Sequence, residues 1–129
     1  MLAFTFPGQG SQKPSMGSEW VEHESWELVD EASQACGRDV SQLLLHAGAE
    51  ELKQTRNSQL TTFVLSMVVL DAVERTGVAP NLTAGHSLGE YSALCASGAL
   101  SFEDAVRLVT ERGEAMQVAA DEQDGTMAA

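Results

Sequence analysis

Basic residues are scarce in this chain: 7 lysines and arginines stand against 19 aspartates and glutamates, a net charge of −12. Nucleic acids and anionic membranes both require clustered cations, so both are excluded as partners. One small anion held by a single well-placed arginine is not excluded. Cysteine is equally sparse. Cys36 and Cys95 form no Cys-x-x-Cys and read as two buried free thiols, not as a disulfide framework. No apolar stretch is long enough to span a bilayer, because the longest, Phe63 to Ala72, is broken by Ser66 and Asp71. The start, MLAFTFPGQG, lacks the basic opening and long apolar stretch of a signal peptide. These absences predict a soluble, cytoplasmic protein.

Nucleotide fingerprints are also missing. There is no G-x-x-x-x-G-K-[ST] and no G-x-G-x-x-G. The three histidines, His23, His46 and His86, make no metal-ligand spacing, so no metal site is expected. After Ser87 the chain contains no histidine at all.

What is present suffices for one domain with a core, at 129 residues and 43% hydrophobic content. Leu2 to Phe6 is short, apolar and halted by Pro7-Gly8, which predicts a buried strand and a turn. Glu22 to Cys36 carries Trp26, Val29 and Cys36 at helical spacing and stops at Gly37, which predicts an amphipathic helix. Val40 to His46 and Ala49 to Gln54 read as two short helices joined through Gly48, and Thr55 to Ser58 as a loop. Gln59 to Arg75 is β-branched enough to suggest a strand. Its seventeen residues without a breaker decide for a buried helix. Asn81 to Ala84 then reads as a short strand. Leu88 to Ala96 reads as a helix with Leu88, Tyr91, Leu94 and Cys95 on one side. Ser101 caps a last helix running to about Ala120, followed by an acidic loop, Asp121 to Gly125, and an apolar beginning at Thr126 to Ala129. Strands separated by helices predict a parallel α/β sheet.

Two features carry chemistry. Gly85-His86-Ser87-Leu88-Gly89 is a G-x-S-x-G pentapeptide between a strand and a helix, the context in which a serine is lifted into a cleft on a tight turn. Ser87 then reads as a nucleophile, against the plainer reading of a helix N-cap. The backbone N–H of Leu88 would face a bound carbonyl, and that of Gln9, in the glycine-rich turn after the first strand, would supply a second oxyanion donor. Arg112 is the other feature. Ala105, Val109, Arg112 and Met116 share one helix face that is otherwise apolar, while Glu103, Arg107, Glu111 and Glu114 share the opposite one, with i,i+4 pairs at Glu103–Arg107 and Arg107–Glu111. An inward guanidinium keeps its charge and needs a fixed anion. That anion is either a substrate carboxylate or an acid of the protein itself.

The ordered set FPGQGSQ, Gln59 at the head of the central helix, GHSLGEYSAL and RLVTERG resembles the malonyl-CoA:acyl carrier protein transacylases and the acyltransferase domains of polyketide and fatty acid synthases. The resemblance runs through essentially all 129 residues and corresponds to the N-terminal portion of that catalytic domain, so residues 1–129 are expected to be an incomplete domain. It implies a partial α/β-hydrolase-like parallel sheet with a nucleophile elbow, ending before the family's ferredoxin-like small subdomain. It implies Ser87 as acyl-accepting nucleophile, Gln9 and Leu88 as oxyanion hole, Arg112 as clamp for the malonyl carboxylate, and Gln59 in the acyl pocket. Where the family often reads Thr-Gln-Pro, this chain has Ser58-Gln59-Leu60. The implied substrates are malonyl-CoA and the phosphopantetheine thiol of an acyl carrier protein, with no metal or redox cofactor. Lys13, Lys53 and Arg56 are the candidate carrier-docking cations. The family's catalytic histidine is placed C-terminal of these residues, so the remaining part of the domain is an expected partner. Two alternatives stand beside this: an inactive fragment or relic of such an enzyme, and a serine esterase or thioesterase.

Overall fold

The computed structural model describes residues 1–123 and 125. Its elements run β1 (Ala3–Phe6), α1 (Glu27–Cys36), α2 (Val40–Leu45), α3 (Ala49–Lys53), α4 (Thr55–Glu74), β2 (Leu82–Gly85), α5 (Gly89–Ala96) and α6 (Phe102–Glu122), with single 3-10 turns at Ser18–Trp20 and Glu24–Trp26. Strands β1 and β2 pair in parallel, Ala3 opposite Leu82 and Phe6 opposite Gly85. The α/β expectation and the parallel pairing therefore hold.

Alternation along β1 turns Phe4 and Phe6 toward the helices and leaves Ala3 and Thr5 exposed, matched across the register by exposed Leu82 and Ala84. Helix α4 is the centre of the molecule. Leu60, Phe63, Val64 and Val68 are fully buried, and it packs against α1, α2, α3, α5 and α6. Phe63 stacks on Phe102 of α6, ring centroids 6.0 Å apart and planes 16° from parallel. A helix apolar on nearly all sides needs such a wrapping of partners. Beside it an apolar groove of about 460 Å³ lies between β1 and α4, lined by Phe4, Phe6, Leu65, Val69 and their neighbours.

Several expectations are corrected. Thr55 to Ser58 is not a loop but the first turn of α4. Its polar side chains are inside: Asn57 donates from Nδ2 to the Glu51 carbonyl at 2.8 Å, and Ser58 is fully buried with its N–H on the Gln54 carbonyl. Tertiary contact thus fixes residues whose type alone favours a turn. The helix expected from Glu22 begins later. His23 accepts from the Ser25 N–H at 3.1 Å, starting a 3-10 turn that feeds α1. In α5 the buried face is Gly89, Ser92 and Ala93, with Leu88 just ahead of it, while Leu94 is 40% exposed. The α6 helix continues through Asp121 to Glu122, into the expected acidic loop, and Arg107 pairs backward with Glu103 at 2.5 Å and with Asp104, not forward with Glu111. Residues 126–129 lie outside the described residues.

An ion cluster ties the start of α1 to the end of α4. Arg75 donates to Asp71 at 2.6 Å, Glu24 at 2.8 Å and Glu27 at 3.0 Å. The buried Ser25 hydroxyl also donates to Asp71, at 2.6 Å. Burial is the largest single influence on the Asp71 carboxyl and pushes it upward, but the hydrogen bonds from Arg75 and Ser25 and the Arg75 charge together outweigh it, holding Asp71 below 3.8. A folded-state value below the unfolded one stabilises the protein above about pH 4, and that stabilisation disappears as pH falls through the depressed value. Asp71→Asn is therefore expected to lower the urea midpoint at neutral pH and to flatten its decline below about pH 4. Parallel midpoint-versus-pH curves for the two proteins would refute this.

Candidate active site

Each side chain at the site is placed by a local reason. β2 ends at Gly85, and the chain turns through His86 and Ser87 into α5. The turn is tight enough that a Cβ on Gly85 would lie 1.9 Å from the Gly89 carbonyl oxygen, and one on Gly89 would lie 2.2 Å from the Phe6 oxygen. Hydrogen bonds from Gly89 N to His86 O (2.9 Å) and from Glu90 N to Ser87 O (3.1 Å) close it. Leu88 is fully buried and anchors the turn, whereas Ser87 is exposed. Ser87 has φ 52, a left-handed conformation unusual for a residue other than glycine. Strain of this kind is held only where the surroundings over-determine it, and it clusters at functional sites.

The first turn, after β1, lies against the second. His86 N donates to the Phe6 carbonyl, and a Cβ on Gly8 would stand 2.8 Å from the His86 oxygen and 3.1 Å from its Nδ1. Among the described residues, the N–H groups of Gln9 and Leu88 have no acceptor. The Gln9 side chain reaches Thr55 Oγ1 at 3.4 Å.

Arg112 arrives from α6. Gly113, the next residue, is buried, and a Cβ there would come within 3.1 Å of Arg56 Cα. The small residue lets α6 lie close to the first turn of α4, which brings Arg112 to Gln59. Arg112 donates from Nη1 to Gln59 Oε1 at 2.5 Å and from Nη2 to Ser87 Oγ at 3.0 Å. Its guanidinium carbon lies 5.8 Å from the Tyr91 ring centroid. Among the described residues no carboxylate lies within ion-pair distance of it. Gln59 is fully buried, and its amide donates to Met116 Sδ at 3.1 Å.

Thus Ser87, Arg112 and Gln59 meet directly, and the turns of Gln9 and Leu88 are neighbours. Tyr91 and Met116 are the additions. Their signal was available in the spacing, since Tyr91 lies four residues beyond Ser87 and Met116 four beyond Arg112, each one helical turn on. None of the three histidines hydrogen-bonds Ser87: His23 caps a 3-10 turn, His46 caps α2, and His86 lies against Gly8. Both cysteines are free and half-buried, more open than expected. Burial pushes the Cys95 thiol up to about 11, so at neutral pH it is no nucleophile.

An exposed serine on a strained strand-to-helix turn, touching an arginine without an acid partner, is matched by comparison. Residues 3–129 match the acyl transferase domain. The chain belongs to the acyl transferase domain family. The malonyl CoA-acyl carrier protein transacylase of Bacillus subtilis (strain 168) is 48% identical over 130 residues, which cover 99% of this chain and 41% of that protein. Among solved structures, the acyl-carrier-protein S-malonyltransferase of Burkholderia pseudomallei 1710b superposes with a TM-score of 0.85 at 43% identity, covering 91% of this chain and 39% of that one. A type II polyketide malonyl-transacylase solved in complex with its acyl carrier protein superposes with a TM-score of 0.84 at 39% identity, again over 91% of this chain and 39% of that one. The chain therefore spans about two fifths of the length of these family members.

Proposed function

We propose that Ser87 is the acyl-accepting nucleophile of a malonyl-CoA:acyl carrier protein transacylase site, as used in fatty acid or polyketide synthesis. The observation that carries this is the contact of Ser87 Oγ with an arginine that has no carboxylate of the protein to pair with. On this reading the turn at Ser87 is a nucleophile elbow. Ser87 Oγ attacks the thioester carbonyl, the negative oxygen of the tetrahedral intermediate is met by the N–H groups of Gln9 and Leu88, and the thiolate of CoA leaves. The phosphopantetheine thiol of the carrier protein then attacks the serine ester and takes the malonyl group. Arg112 binds the free carboxylate in a two-pronged pair and so fixes the carbonyl over Ser87. Gln59 holds the guanidinium in register. The thioester brings its own leaving group, and the reading calls for no metal or redox cofactor.

Deprotonating Ser87 needs a base. No described histidine touches it, so the proton acceptor in this reading comes from the part of the domain that longer relatives have beyond this span. Of the candidate docking cations, Lys53 is engaged by Glu50 at 2.6 Å and Arg56 by Glu114 at 3.0 Å. That leaves Lys13 as the exposed cation with most freedom to meet an acidic carrier. No described helix is long and apolar enough to cross a membrane, and cytoplasmic placement belongs to the same proposal.

Intact-mass measurement after incubation with malonyl-CoA tests the reading. One malonyl adduct is expected on the native sequence and none on Ser87→Ala. An adduct that persists in Ser87→Ala, or its absence from both, would overturn the assignment.

A further inference from the structure

The way Arg112 is satisfied while its site is empty carries a second step, which rests on the acyl-transfer reading. Elsewhere arginines end on acids: Arg75 on three carboxylates, Arg56 on Glu114, Arg107 on Glu103. Arg112 ends on a buried amide, a hydroxyl and the face of an aromatic ring. We infer that the Ser87 hydroxyl is the resident ligand of Arg112 in the empty site, and that a carboxylated acyl group binds by displacing it.

The geometry leaves little choice of which donor is exchanged. A guanidinium offers its N–H groups in a fixed planar fork, and a carboxylate pairs best with two parallel ones. Nη1 is taken by Gln59, which is fully buried and has its own NH₂ on Met116 Sδ. Turning that amide away would strand a buried polar group, which is costly. The Tyr91 ring stands beside the guanidinium. The donor that remains to be exchanged is Nη2, which now sits on Ser87 Oγ. Ser87 lies in a turn that the neighbouring backbone holds at φ 52, so its Oγ leaves Arg112 only by side-chain rotation.

The exchange links selection of the acyl group to release of the nucleophile. While Arg112 is empty, one lone pair of Oγ faces a cation and is withheld from attack. A malonyl carboxylate takes over Nη2 and returns that lone pair to Ser87, with the thioester carbonyl already seated. A neutral acyl group has nothing to offer Nη2, and the hydroxyl stays where it is. Binding and unmasking become one event, confined to substrates that carry the second carboxylate.

The competition can be read without catalysis. Free malonate has the carboxylates but no thioester, and its affinity for the full chain can be measured by titration calorimetry. If Ser87 competes for Nη2, Ser87→Ala should bind malonate about fivefold tighter than the native sequence. Ser87→Cys keeps the shape with a weaker acceptor and should fall between the two, which separates loss of the acceptor from any effect on the turn. Arg112→Ala should not bind. Binding that depends on Arg112 but is equal or weaker in Ser87→Ala overturns the exchange and leaves the carboxylate clamp standing. Binding that survives Arg112→Ala, or is absent from the native sequence and Ser87→Ala alike, overturns the clamp and the exchange together.

Discussion

Gly85→Ala is expected to prevent stable folding, with a loss of at least about 3 kcal/mol in urea unfolding. The new methyl would have to occupy space 1.9 Å from the Gly89 carbonyl oxygen and 2.4 Å from the Glu90 nitrogen. Both are backbone atoms of the first turn of α5, so no side-chain rotation relieves the collision. The helix would have to move off the sheet, and with it Leu88, which is fully buried in the core. Gly89→Ala should behave alike, because its Cβ would lie 2.2 Å from the Phe6 oxygen, at the other end of the same contact. Gly48→Ala is the control. Nothing lies within 4 Å of a Cβ there, and its φ of −75 suits any residue. It should change stability by no more than about 0.5 kcal/mol. Native-like midpoints for Gly85→Ala would show that the strand, turn and helix are not packed through their backbones. The two outer glycines of the pentapeptide are therefore requirements of the fold first. They let β2 and α5 approach closely enough to force Ser87 into its strained, exposed position.

How far this was legible depends on where each residue's partners lie in the chain. Local signals were read correctly. Ser101 caps α6 with its hydroxyl, accepting from Asp104 N at 3.2 Å, and the length of the apolar stretch after Gln59 identified a helix despite its β-branched residues. The inward position of Arg112 followed from periodicity alone. Its partners did not, because Gln59 and Ser87 are 53 and 25 residues away and reach it only through the packing of α6 on α4. The same cause explains the misread loop at Thr55 to Ser58. Asn and Ser favour turns when judged by type, and only burial against α3 and its carbonyls makes them helical here. Leu94 failed in the opposite sense: an apolar residue was assigned to the core, whereas the small residues Gly89, Ser92 and Ala93 let α5 sit close and take that face. Hydrophobicity marks which residues can be buried, while backbone proximity decides which are. For the site, the motifs specified residue types, and the fold then supplied the contact between nucleophile and cation that no local pattern contains.

Arg112→Ala is expected to slow acylation of Ser87 by malonyl-CoA about 30- to 100-fold, and to change acylation by acetyl-CoA less than about threefold. The difference follows from what each acyl group offers. Malonyl and acetyl thioesters present the same carbonyl to Ser87 and the same oxygen to the N–H groups of Gln9 and Leu88, so those parts of the barrier are shared. Only malonyl has a carboxylate for Arg112, and removing one partner of a charged, hydrogen-bonded pair costs most when the other is left without a counter-charge. Gln59 offers no substitute: its NH₂ is committed to Met116, and its oxygen would repel the anion. The exposed edge of the site lets water solvate part of the orphaned carboxylate, which keeps the loss at the lower end of the range for such pairs. Arg112→Lys should recover charge but not the two-pronged geometry, and so restore only part of the malonyl rate. Time courses of adduct formation by intact mass, run with both thioesters on the native sequence and the two variants, give the comparison directly. Equal losses for malonyl and acetyl would mean that Arg112 supports the turn or the serine and not the carboxylate. A selective loss would mean that the inward cation of RLVTERG reads the second carboxylate of the substrate.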